Sequence, residues 1–133
     1  MTIEELKAKM QEYFVSRKNR MQARARELKA LGQEEEAELE LGKLAVYDVF
    51  GTMLEASALK AKMNPKYASG DKVQAFIQEY LMAFITQPAE WRLKYVQAKE
   101  RGEERAASLE WLRLETVKEI KDEFLRISKG ESK

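Results

Sequence analysis

"KLAVYDVF", residues 43–50, decides the fold. Its valines, tyrosine and phenylalanine are the β-branched and aromatic types that suit a strand. A strand here would need a partner, and no other stretch of the chain offers one. As a helix, the stretch joins "QEEEAELE" (33–40) before it and "GTMLEASALKAKM" (51–63) after it. The apolar spacing is helical on both sides, so residues 33–63 read as one long helix with 44–54 as its most buried part. The leading glutamates suit the positive end of the helix dipole.

Working outward, residues 2–31 read as another long helix. Thr2 can cap it with Glu5 three positions on. Ile3, Leu6, Met10, Phe14, Met21, Leu28 and Leu31 recur at helical spacing, and Gly32 is a natural stop. Beyond residue 63, "NPKYASGD" (64–71) gathers Asn, Pro, Ser, Gly and Asp into a loop. Asp71 can cap a third helix over 72–86, whose Val73, Phe76, Ile77, Tyr80, Leu81, Phe84 and Ile85 make a wide apolar face. Pro88 suits the first turn of a fourth helix, which carries Trp91, Tyr95 and Ala98 on one side and ends at Gly102. A fifth runs over about 103–129, with Leu109, Leu112, Val117, Ile120, Phe124 and Ile127 as its core stripe. The expected architecture is a single all-α domain over 1–133. It is a bundle of about five helices, three long and two shorter, with an up-down hairpin in its N-terminal half. No internal repeat or interdomain linker is visible.

Composition agrees and removes whole classes of chemistry. The 133 residues are 44% hydrophobic and 35% charged, with six Gly and two Pro, which favours long helices. Net charge is +1, so no global field draws the chain to polyanions. There is no Cys, hence no disulfide, thiolate nucleophile or thiolate metal site. There is no His, the usual general base and commonest transition-metal ligand. The start "MTIEELKAKM" has no apolar core of a signal peptide. The longest uncharged run, "YLMAFITQPA" (80–89), is far too short for a membrane span. These features point to the cytoplasm and away from membranes. In composition the chain resembles small, charged, all-helical bacterial proteins.

One stretch is strongly basic. "RKNRMQARARELK" (17–29) sets six basic residues against Glu27, a net of +5, and residues 33–41 carry −5. A turn at Gly32 lays the two blocks side by side, so mutual neutralisation and hairpin register are the expected role. Nucleic acid is a poor partner here, because no aromatic residue lies between 15 and 46 to stack a base. Arg17 and Arg24, seven apart, fall near the apolar seam. Folding at Gly32 sets residue 17 near 47 and residue 24 near 40. Arg17 is therefore expected beside Asp48, and Arg24 beside Glu40 or Leu41. The outcome is a partly buried ion pair or, with the arginines turned into a cleft, an anion site.

Catalytic motifs are absent: no G-x-S-x-G, no P-loop, and no acid spacing of a calcium loop in "NPKYASGDK". Two strings put acids at i, i+3 or i+4: "EEEAELE" with Glu35 and Glu38, and "EIKDEF" with Glu119, Asp122 and Glu123. Such pairs on facing helices could hold Mg²⁺. The two strings resemble the acidic helices of all-α nucleotide pyrophosphohydrolases, which implies a Mg²⁺-dependent hydrolase as one alternative. The commoner role of such acids is a solvated face, and no cofactor or metal set is assigned. Trp91, Tyr95, Phe76, Tyr80 and Phe84 could line a ligand pocket, though such a stripe is more often core. The fifth helix shows a second apolar stripe of Ala107, Trp111, Leu114 and Leu125. A helix apolar on two sides is central in its bundle or covered by another subunit. Trp111, Leu114 and Leu125 are thus candidates for a homodimer interface. The leading functional expectation is a non-enzymatic interaction protein that binds itself or a protein partner. A phosphate or nucleic-acid binder using the basic end of helix 1 is the other alternative.

Overall fold

The computed structural model describes residues 1–66 and 71–130, and residues 67–70 of the expected 64–71 loop lie outside them. The described chain is all α, with segments α1 (Ile3–Ala30), α2 (Glu34–Met63), α3 (Lys72–Thr86), α4 (Ala89–Glu100) and α5 (Glu104–Ser128). Residues 43–50 lie inside α2. No helix among the described residues is long and apolar enough to cross a membrane.

The helix ends follow from local chemistry. Thr2 caps α1, its Oγ1 accepting the Glu5 amide at 3.1 Å. Asp71 precedes α3 but makes no side-chain capping bond, contrary to expectation. At the other end of α1, Gly32 takes φ +77°. There the Gln33 amide reaches the Leu28 carbonyl at 2.8 Å and the Gly32 amide that of Lys29 at 3.0 Å. Gly102 repeats this after α4: φ +70°, with Glu103 bonding Ala98 and Gly102 bonding Lys99. Both are left-handed glycine stops that reverse the chain at once and consume carbonyls the helix leaves open. Two tight helical hairpins, α1–α2 and α4–α5, result.

α3 and α4 are less separate than the sequence suggests. Gln87 stays in the right-handed helical region, and Pro88 sits at φ −80°, ψ 0°. Proline lacks the amide that would continue the ladder. The Arg92 guanidinium instead donates to the Ile85 carbonyl at 2.9 Å. α3 and α4 thus act as two pieces of one interrupted rod, and the bundle has four rods in up-down-up-down order.

α2 is central and packs against α1, α3 and α5. Val46, Tyr47, Phe50 and Leu54 are completely buried. Phe50 stacks on Phe84 with centroids 4.6 Å apart, and Phe124 of α5 meets Tyr80 edge-on at 4.7 Å. The Tyr80 hydroxyl donates to the Phe50 carbonyl at 2.8 Å, so the buried phenol is satisfied. α2 and α5 run parallel: Arg105 pairs with Glu38, and Leu109 lies over Gly42. In an up-down-up-down bundle these two are diagonal partners. Their close approach pushes α1 and α5 apart, and an open groove lies between those two helices.

Candidate functional site

The groove between α1 and α5 encloses about 880 Å³. Lys9, Glu12, Tyr13, Ser16, Arg17 and Arg20 supply the α1 rim, and Glu119, Asp122, Glu123 and Arg126 the α5 rim. One rim is mainly basic and the other mainly acidic. At its floor the Tyr13 and Tyr47 hydroxyls lie 3.0 Å apart. The Arg17 guanidinium rests 5.7 Å from the centre of the Tyr13 ring. A second cleft of about 260 Å³ adjoins it, lined by Arg17, Arg20, Met21, Arg24, Glu40, Lys43 and Glu119. Three residues shared by both cavities, Arg17, Arg20 and Glu119, make them continuous.

Arg17 does not pair with Asp48. Asp48 is exposed, and its partner is Lys18, at 2.5 Å. The seam register is close to expectation, but one residue is a rotation of about 100° on a helix. That rotation sends Lys18 to the outer flank and Arg17 to the α5 side. The expected buried pair of Arg17 and Asp48 is therefore replaced by an exposed lysine pair. Arg17 is instead held by Tyr13. That contact, the largest influence on it, keeps the guanidinium pKa above its ordinary value despite partial burial, with Tyr47 and Glu119 adding. Its Nε is buried without a hydrogen-bond partner, a state that costs roughly 1–3 kcal/mol. Arg24 lines the same cleft as Glu40, as its register implies, but its ion pair is with Glu27 at 3.5 Å.

The two charge blocks do not meet in ion pairs. Among the described residues no ion pair joins 17–29 to 33–41. Glu35 and Glu38 are both taken by Arg105 of α5, and Glu40 by Lys43 at 3.2 Å. The acidic block thus ties α2 to α5, and among the described residues Arg17 and Arg20 keep no carboxylate partner. This also separates the acids of the proposed Mg²⁺ site. With Arg105 level with Glu38, Glu119 lies fourteen positions further along a parallel helix, about 21 Å away. Among the described residues no three acids gather where they could hold a metal.

The second candidate surface lies on the opposite, outer side of the α3–α4 rod. Met82, Ile85, Leu93 and Val96 are 54, 56, 57 and 50% exposed. With exposed Ala89 they stand at −7, −4, 0, +4 and +7 about that alanine. Neither helix alone marks this stripe in the sequence, because Pro88 separates its two halves. The stripe expected on α5 is only partly open. Ala107 is buried, Leu114 and Leu125 are half-buried, and Trp111 is 51% exposed beside Tyr95, ring centres 5.6 Å apart. α4 covers part of what a second subunit was expected to cover. Phe76, Tyr80 and Phe84 are core, as read, and Trp91 packs against it.

Comparison of the chain with protein-family models, curated proteins and solved structures returns no match.

Proposed function

We propose that this is a cytoplasmic interaction protein that acts by binding, with a second copy of itself as the partner of its α3–α4 face. The carrying observation is the exposed stripe Met82, Ile85, Ala89, Leu93 and Val96. Its spacing is symmetric about Ala89. An antiparallel two-fold pairing centred there sets Met82 against Val96 and Ile85 against Leu93, from both sides at once. Such self-complementarity is what an isologous contact requires. Trp111, joined to the same helix through Tyr95, extends the surface onto α5, with Leu114 behind it. A chain without His or Cys also lacks the commonest catalytic side chains, which favours binding over catalysis.

The affinity can be bounded. Burying the exposed half of one such side chain contributes about 1 kcal/mol. Four from each protomer, about 8 kcal/mol in all, stand against an association cost of roughly 4–15 kcal/mol. The surplus is at most about 4 kcal/mol, so the pairing is weak, near millimolar. Sedimentation velocity should show a dimer whose fraction rises with concentration. Leu93→Glu and Ile85→Glu should each give a monomer with an unchanged helical circular dichroism spectrum. A wild-type chain that stays monomeric up to about 1 mM, near the weak limit of specific binding, would refute the reading. Native mass spectrometry of protein purified gently from its host would show directly whether the mass retained is a second copy or something else.

A further inference from the structure

The last half of α1 carries more positive charge than its surroundings neutralise. Arg17, Arg20 and Arg24 stand at i, i+3 and i+7, and so share one face of the helix. Lys43 of α2 closes the far side of their cleft, and buried Met21 lies between. Four cations face Glu40 and Glu119 there, a net of +2. Glu40 is already engaged by Lys43, and the Arg24–Glu27 contact is an exposed, long one that is easily exchanged. Among the described residues Arg17 and Arg20 have no carboxylate within ion-pair distance, and the buried Arg17 Nε–H is unpaired. Packing on Tyr13 holds the Arg17 guanidinium in place, so little freedom is lost when a ligand meets it.

We propose that this cleft binds the phosphate group of a small, hydroxylated phosphate ester. Arginine forks aimed from several directions suit a phosphate, whose oxygens accept from several sides. The organic part of the ligand has room in the adjoining groove. There Glu12, Glu119 and Asp122 offer carboxylates that accept bonds from sugar hydroxyls. The same acidic rim disfavours a nucleic-acid strand, because phosphates beyond the first would lie against carboxylates. The Tyr13 face is also already covered by Arg17.

The test is isothermal titration calorimetry of the full chain with ribose 5-phosphate, inorganic phosphate and ribose. Ribose 5-phosphate should bind one per chain and more tightly than inorganic phosphate, and ribose should give no heat. Raising salt from about 50 to about 200 mM should weaken the binding. Arg20→Ala, at an exposed position, should lower affinity about tenfold or more. Arg26→Ala removes the same charge from the same helix outside the cleft and should change affinity little. No heat from either phosphate up to about 10 mM would overturn the proposal. So would equal losses from the two variants, which would mean diffuse attraction. An RNA oligonucleotide binding more tightly than the sugar phosphate would overturn it too.

Discussion

Tyr47 and Tyr80 carry their hydroxyls into the core, and the pH response of the bundle follows from that. Burial, the largest influence on each, pushes both phenols well above their ordinary pKa, and the neighbouring Tyr13 adds to it. In the unfolded chain they ionise near pH ~10. Above that pH the unfolded state has released protons that the folded state keeps, so stability is full below about pH 10 and falls above it. Each phenol contributes a slope of up to about 1.4 kcal/mol per pH unit. With no His or Cys in the sequence, no side chain has an ordinary pKa between about 5 and 9. Urea unfolding followed across pH should therefore give a plateau through neutrality and a drop beyond pH ~10 that tracks phenolate absorbance. A drop beginning near neutrality would contradict the burial. At this scale the sequence is a good guide to which side chains are buried and a poor one to which charges pair. Tyr47 and Tyr80 lie on clear apolar faces. Lys18 takes Asp48 in place of Arg17 because the choice turns on a single residue of rotation, finer than apolar spacing resolves. Buried Glu110, bonded by Arg113 at 2.8 Å, had no signal at all in a helix full of acids.

Helix boundaries were legible to within a residue or two, because caps, glycine stops and proline act locally. The interruption at Pro88 was legible as well. What was not legible is that Met82 and Ile85 before it and Leu93 and Val96 after it are all left exposed, since that depends on which faces the rest of the bundle covers. The two glycines inside α2 separate local preference from packing. A Cβ on Gly51 would meet only Phe14, at an ordinary 4.0 Å. Gly51→Ala should stabilise the fold by about 0.5–1 kcal/mol through helix propensity alone. A Cβ on Gly42 would lie 2.7 Å from Leu109 Cδ1, where α2 and α5 approach closely. Gly42→Val should cost about 1–3 kcal/mol by overpacking this crossing. Chemical denaturation of the two variants checks both signs. If Gly42→Val were as stable as wild type, the Leu109 side chain would have room to swing away from this crossing.

At the scale of the molecule, the all-α bundle and its N-terminal hairpin could be read directly. The diagonal contact of α2 with α5 could not. It depends on Arg105 reaching Glu35 and Glu38, and on Gly42 admitting Leu109, and neither adjacency is written in any single helix. That contact opens the α1–α5 groove and leaves the α1 arginines short of partners, so the candidate anion site is a product of topology. The rods also differ in how well they are anchored. α4 packs on α5 alone to any extent, and Ala98 is its only buried residue. A segment anchored on one neighbour, with one buried residue, opens at a lower free energy than the core. The amides of α4 should therefore exchange with deuterated solvent well before those of α2. If the outer face of α4 is where two copies meet, that exchange becomes a clock for assembly, slowing as protein concentration rises while the amides of α2 keep their pace.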